Sequence, residues 1–322
     1  MSSLPAWAYQ MNQLGKERIP FLFILDFEIE DPIIIQLAEI SDECIRFEIN
    51  TNDSPQPSGK INIPLEIIPV DFGVYNLGFQ NVMKAILRGD TYLLNLCYST
   101  KLSDLPSLEY IFDNVIAPFK LLVQNKFVVF SPERFVTIEN GSISTFPMKG
   151  TIDATIDNAG QILMNDVKEQ EEHATVVDLL RNDLSILSRK VKLERYRYIT
   201  EVRAMGKRLL QCSSEIRGQL NENYHENLGG LFHALLPAGS VTGAPKKRTV
   251  ELIKEIEPEP RGYYTGVFGV FDGKKLDSAV MIRMIEQRKD GYYYRSGGGI
   301  TYQSNVHDEY REMIDKVYIP VK

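Results

Sequence analysis

The chain has 322 residues, enough for one large domain or two ordinary ones, and 43% hydrophobic against 25% charged residues is a globular composition with ample core. A net charge of −7, from 36 basic and 43 acidic residues, argues against nucleic acid as the main partner, because phosphate neutralisation needs a basic face; a small anion in a local positive pocket stays open. The three cysteines, Cys44, Cys97 and Cys212, lie in unrelated contexts without C-x-x-C spacing, which points to reduced thiols and a cytoplasmic protein.

The first stretch, MSSLPAWAYQMNQLGKERIP, lacks a charged region followed by an apolar run, so no signal peptide is expected. FLFILDF (21–27) is far too short to span a bilayer and reads as a buried strand. DPIIIQL and CIRFEIN continue as short strands, followed by the turn-rich TNDSPQPSGK. Val74, Leu77, Val82 and Ile86 have helical spacing, and Gly89 ends that helix. TYLLNLCYST is a strand. FKLLVQNKFVVFSPERFVTIENGSISTF is β-rich, with ENGS as a hairpin turn. Residues 164–187 read as one long helix and 190–220 as strands; AGSVTGAPKKR is a loop running into a helix at 246–256. YYTGVFGVFDG, LDSAVMIRMIEQ and YYYRSGGGITY are three strand-like segments, and VHDEYREMIDKVY closes the chain as a helix. Strands and helices are interspersed and no linker shows a composition shift, so one large α+β domain fits better than two.

Four groups of residues bear chemistry. Glu169 and Glu172, and again Glu309 and Glu312, are three apart and share a helix face. Either pair alone is a solvated acidic face; the two brought together form a hard oxygen site suited to Mg²⁺. GSVTGAPKKR lets backbone amides approach a ligand and leads into a helix N-terminus, although it is no Walker A loop; alone it is as readily an ordinary loop. The glycines of SGGGITY expose amides to a carboxylate or, read alone, make a turn. Arg283, in the apolar run AVMIRMI, needs a partner if buried; otherwise it faces outward from an alternating strand. Lys149 in FPMKGT follows Glu133 in SPERF by sixteen residues. A nucleophilic lysine must lose its proton, and a glutamate acting as general acid needs a raised pKa; in isolation both residues are surface charges.

SPERF, PMKGT, VVDLLRNDL, GSVTGAPKKR, RGYYTGVFG, SGGGITY and DEYREMIDK, in this order and spacing, resemble the chorismate-utilising enzymes, the family of anthranilate, aminodeoxychorismate and isochorismate synthases. The resemblance is strong from about residue 75 onward. It implies a single α+β domain over 1–322, two packed antiparallel β-sheets flanked by helices in α/β/β/α order, with a shortened β-rich region over about 1–70. The lysine of PMKGT is similar to the P-I-K-G-T signature of the chorismate-binding component of aminodeoxychorismate synthase, where anthranilate and isochorismate synthases carry a small residue. On that likeness Lys149 attacks C2 of chorismate while Glu133 protonates the departing C4 oxygen, and ammonia then enters at C4 to give 4-amino-4-deoxychorismate. The resemblance also makes Glu169, Glu172, Glu309 and Glu312 the Mg²⁺ ligands. Tyr264, Arg283, the amides of Gly298 and Gly299, and Lys316 are contacts to chorismate's carboxylates. Thr242 is the hydroxyl-bearing position of the substrate loop.

Two positions depart from the family pattern. A segment resembling V-H-H-L-V-S is LLQCSSEI here, which places Gln211 where a histidine is usual; an amide can position substrate but cannot titrate near neutrality. Isochorismate and salicylate synthases carry a lysine in the strand after the G-D turn, where this chain has Leu93, which argues against water as the nucleophile. No G-x-C-x-G elbow of a glutamine amidotransferase is present, so the resemblance implies ammonia from a separate amidotransferase subunit, and a downstream lyase releasing 4-aminobenzoate for folate. Rival readings are anthranilate or isochorismate synthase and, from another class, a catalytically silent chorismate-binding protein.

Overall fold

The computed structural model describes residues 3–50, 63, 65–204 and 207–321; the turn expected at 51–60 lies outside them. All five residues of strand Phe21–Leu25 are buried, and they divide by parity. Phe21, Phe23 and Leu25 join one apolar cluster with helix residues Trp7, Met11, Leu180 and Phe232. Leu22 and Ile24 join a second cluster with Leu121, Val123, Phe127 and Val129 of another sheet. A strand covered on both faces loses the alternating polar signal, which is why FLFILDF is apolar throughout.

Among the described residues the first sheet has nine strands and the second eight. The strand pairings given by their register are antiparallel throughout, for example Phe21–Leu25 with Val267–Phe271 and Leu93–Ser103 with Gly291–Ile300. The outer face of the second sheet carries helices Phe72–Leu87, Lys246–Ile256 and Val306–Asp315 over Leu94, Leu96, Tyr98 and Ile300. Helices Ala6–Glu17, Val167–Leu187 and Leu228–Leu235 cover the first. The order is therefore helices, sheet, sheet, helices, as expected.

The chain passes directly between the sheets at two adjacent places. Phe127–Ser131 belongs to the second sheet and Arg134–Glu139 to the first, so Pro132 and Glu133 form one crossing. LDSAVMIRMIEQ, expected as one strand-like segment, is two: Leu276–Val280 in the first sheet and Met284–Arg288 in the second. Arg283 stands at this break with φ 54°. The crossings are tied together by Val280 N–H donating to Glu133 O at 3.1 Å and Phe130 N–H donating to Arg283 O at 2.9 Å.

Three further differences bear on the site. Residues 164–187, expected as one helix, form Ala159–Asn165 and Val167–Leu187, because the Asp166 side chain caps the second by accepting from Glu169 N–H at 2.9 Å. Gly297, Gly298 and Gly299 are not the turn that SGGGITY makes when read alone; they lie inside strand Gly291–Ile300, in keeping with the strand-like YYYRSGGGITY, opposite Cys97, Leu96 and Asn95. Helix Ala6–Glu17 goes beyond the expectation for the N-terminus; its buried Trp7, Ala8, Met11, Leu14 and Gly15 recur at helical spacing. The hairpin at ENGS is as expected, with Asn140 at φ 50° and Gly141 at φ 74°.

Candidate active site

Glu133 lies on the crossing between the sheets, where the chain belongs to neither ladder. Its backbone N–H donates to Ser131 Oγ at 3.1 Å, and one carboxylate oxygen lies 2.6 Å from Ser240 Oγ. Burial raises the Glu133 pKa, against the smaller opposing effects of Ser240 and Lys149. That is the direction a general acid needs.

Lys149 enters from strand Met148–Asp153, whose register slips between Met148 and Thr151. Gly150 follows with φ 80°, and a Cβ there would lie 3.0 Å from Glu169 Oε2. The lysine–glycine pair of PMKGT thus combines a projecting amine with a backbone that must pass close to a carboxylate. Lys149 Nζ is 3.0 Å from Glu172 Oε2 and its side chain is part-exposed. Burial pushes its pKa down, but Glu172, Glu312 and Glu169 outweigh burial and hold it above the ordinary lysine range. A nucleophilic role therefore requires those carboxylates to be compensated.

Helix Val306–Asp315 supplies the second acidic pair. Asn305 caps it, accepting from His307 N–H at 2.9 Å, and Glu309 in the first turn suits the positive end of the helix dipole. Burial raises the Glu309 pKa, partly offset by a hydrogen bond from Ser304 Oγ at 2.8 Å. Burial acts in the same direction on Glu312, but Lys316, at 2.6 Å, together with Lys149 and Lys168 keeps it below the usual carboxylate range. Lys168, on the first acidic helix, acts on Glu309 and Glu312, and Lys149 acts on Glu169, Glu172 and Glu312. Both acidic pairs thus share one electrostatic neighbourhood. Their hard oxygens are the donor type a divalent cation takes, but among the described residues no group of three or more His, Cys, Asp or Glu side chains is arranged to hold a metal ion. The donor chemistry fits; Glu172 and Glu312 are paired with lysines and Glu309 accepts from Ser304.

A Cβ on Gly298 would lie 3.1 Å from Glu309 Oε2 and 3.8 Å from Lys316 Nζ, so this strand runs close against the acidic side chains of the helix. Lys316 Nζ also donates to Gly297 O at 2.8 Å. The Arg283 guanidinium donates to Lys316 O and covers the Tyr318 ring at 4.5 Å. Arg283, Glu312, Lys316 and Tyr318 line an open cavity of about 270 Å³. A larger cavity of about 420 Å³ is lined by Arg134, Arg217 and Lys275, each of which pairs with a carboxylate, Asp277, Glu215 and Glu139 respectively; in the smaller cavity Lys316 is likewise paired, with Glu312, and Arg283 is held by a backbone carbonyl.

The remaining expected residues are spread around this centre. Gln211 lies opposite Thr151 on the strand beside Lys149. Leu93 starts the strand that pairs with the glycine segment, and its Cδ1 would be 2.9 Å from a Cβ on Gly299. Tyr264 is buried beside Cys97 and Arg261. Thr242 is fully buried, its hydroxyl donating to the Ala238 and Gly239 carbonyls, so it faces its own loop rather than the cleft.

Sequence reading missed three residues here. Ser240 touches Glu133. His173, fully buried, has Nε2 2.6 Å from Ser214 Oγ. Arg261, 1% exposed, pairs with Glu257 at 2.6 Å and donates to Val241 O at 2.8 Å and Asn95 O at 2.6 Å, joining the GSVTGAPKKR loop to the strand beside the glycines. Ser240 and Arg261 belong to quoted motifs, but nothing in those motifs says which side chain turns inward.

Residues 30–322 match the family described as chorismate binding enzyme. The chain belongs to that family. It is 46% identical over 327 residues to the "Uncharacterized PabA-like protein" of Haemophilus influenzae, covering 100% of this chain and 98% of the relative. It is 32% identical over 259 residues to aminodeoxychorismate synthase component 1 of Salmonella typhimurium, covering 76% of this chain and 56% of that longer protein. The solved menaquinone-specific isochorismate synthase of Escherichia coli superposes with a TM-score of 0.71 at 16% identity, over 96% of this chain and 79% of the other, a likeness of fold alone. Among the described residues no helix is long and apolar enough to cross a membrane.

Proposed function

We propose that this family member is an aminodeoxychorismate synthase component I, converting chorismate and ammonia to 4-amino-4-deoxychorismate. The observation that carries the reading is a part-exposed Lys149 side chain close enough to Glu133 to influence its carboxylate, with Glu133's pKa raised by burial. In this reading the Lys149 nitrogen bonds to C2 as both ring double bonds shift and the C4–O bond breaks. Glu133 delivers its proton to the leaving oxygen, giving water. Ammonia then attacks C4, both double bonds shift back and the C2–N bond to Lys149 breaks, the departing amine taking up the proton that the added nitrogen loses, so one difficult displacement becomes two easier ones.

Glu169, Glu172, Glu309 and Glu312 would hold Mg²⁺, which supplies charge compensation for the carboxylates and for an anionic substrate. With those charges compensated, burial is the main influence left on the Lys149 amine, and burial favours its neutral form. Tyr264, Arg283, Lys316 and the amides of Gly298 and Gly299 would orient the substrate carboxylates; Gln211 would have a positioning role. Ammonia would come from a separate glutamine amidotransferase, and the product would feed 4-aminobenzoate and folate synthesis. A cytoplasmic location belongs to this reading, since Cys44, Cys97 and Cys212 are free thiols.

The test is incubation with chorismate, Mg²⁺ and ammonium, followed by mass analysis. The expected product is 4-amino-4-deoxychorismate, and Lys149→Ala should cut amination severely and remove any covalent adduct. A near-normal rate and the same product from Lys149→Ala would reduce that lysine to charge balance. Isochorismate as product would favour the water-adding branch, although Leu93 stands where that branch carries a lysine; no turnover would favour a silent binding protein.

A further inference from the structure

The loop quoted as GSVTGAPKKR carries two hydroxyls, and the fold gives them different tasks. Thr242 is committed to the loop's own carbonyls. Ser240, in the short turn Gly239–Val241, reaches across to the crossing between the sheets, where its Oγ lies 2.6 Å from Glu133 Oε1.

This turn is clamped on both sides. Behind it, Lys246 pairs with Asp183 at 2.7 Å, and a Cβ on Gly239 would lie 2.6 Å from Asp183 Oδ2, so the turn sits tight against helix Val167–Leu187. At its other end Val241 O is held by Arg261. Shifting the backbone that carries Ser240 means disturbing the Lys246–Asp183 pair, whose carboxylate is buried, or a buried guanidinium contact, so the turn holds the Ser240 Cα in place beside Glu133.

We propose that Ser240 is the positioning residue of the proton-delivering carboxyl: it holds Glu133 Oε1 and leaves Oε2 to carry the transferable proton. The proposal rests on Glu133 acting as the acid of the reaction above. A hydroxyl donating to a carboxylate stabilises the charged form, which keeps a buried acid from becoming too weak to release its proton. The other groups around Glu133 have separate commitments. Lys149 acts on it from strand Met148–Asp153. Arg134, its chain neighbour, is turned to Asp277 at 3.0 and 3.2 Å. Ser131 Oγ accepts from the backbone of Glu133, and Asp183 and Lys246 close on each other.

The test begins without substrate. The whole chain is labelled with carbon-13 at the glutamate carboxyl, and the Glu133 signal is assigned by its loss in Glu133→Gln. Ser240→Ala should raise the Glu133 titration midpoint by about one pH unit, and Ser240→Thr should restore it. An unmoved midpoint in Ser240→Ala overturns the proposal. If Ser240→Ala does not fold, Ser240→Cys, a much weaker donor, is compared with Ser240→Thr in the same titration. In turnover of chorismate with Mg²⁺ and ammonium, Ser240→Ala should lower kcat about tenfold with KM within about twofold, and move the alkaline limb of the pH profile upward. A raised KM at unchanged kcat would mean that Ser240 touches substrate instead, and also overturns it. Because the titration needs no turnover, failure of the proposed reaction and failure of the Ser240 assignment are separable.

Discussion

Arg261→Met should destabilise the protein more than its single position in a loop suggests. The guanidinium is 1% exposed and donates to Glu257 Oε2 at 2.9 Å, Glu257 Oε1 at 2.6 Å, Val241 O at 2.8 Å, Thr265 Oγ1 at 3.2 Å and Asn95 O at 2.6 Å. Methionine fills much of the volume but leaves the Glu257 carboxylate, whose side chain is 3% exposed, with the Cys97 N–H at 2.9 Å as a remaining donor. Removing one partner of a buried ion pair costs about 3–5 kcal/mol, whereas a neutral hydrogen bond is worth about 1 kcal/mol, so the stranded charge dominates. An unfolding entropy of roughly 2.1 cal/mol/K per residue gives about 0.7 kcal/mol/K over 322 residues, so Tm should fall by about 4–7 °C. Differential scanning calorimetry measures this directly. Adding Glu257→Leu should recover most of the loss, since an apolar pair can replace a buried ion pair at little cost. The reasoning fails if Arg261→Met melts within about 1 °C of the parent, or if the double variant is less stable than the single one.

Three other outcomes follow from the same geometry. Alanine at both Glu169 and Glu172, or at both Glu309 and Glu312, should abolish Mg²⁺-dependent turnover with little change in Tm; activity surviving in either double variant would argue against one shared metal site. Gly297→Ala should lower Tm, because its Cβ would lie 2.3 Å from Leu96 O, whereas Gly298→Ala, 3.1 Å from Glu309 Oε2, should chiefly weaken substrate binding, read as KM. Burial pushes the His173 pKa down to about 4 from 6.5, so the unfolded chain binds its proton first on acidification. Stability from this group is present above pH 6.5 and is lost as pH falls toward about 4, by about 3 kcal/mol in all. His173→Asn should flatten that part of the stability–pH curve in chemical denaturation, and an unchanged slope would show that His173 does not titrate there.

The parts legible in the sequence are those with a local cause. Lys246–Ile256 is a helix from end to end as read, because its apolar spacing and the preceding loop both lie within a few residues. Asn-Gly in ENGS specifies its own turn, and the i, i+3 spacing of each glutamate pair is enough to put both members on one helix face. Tertiary structure alone decided the rest. LDSAVMIRMIEQ is apolar on both sides of Arg283 because both halves are buried, so no periodicity marks the passage from one sheet to the other. The glycines of SGGGITY have the local preferences of a turn, yet they form a strand because they pair with Asn95, Leu96 and Cys97 of the neighbouring strand, and Leu96 O leaves no room for a Cβ at Gly297. Ser240 meets Glu133 across 107 residues of chain and Arg261 meets Asn95 across 166; such contacts are selected by the burial of whole layers, which leaves no mark on the spacing of nearby residues.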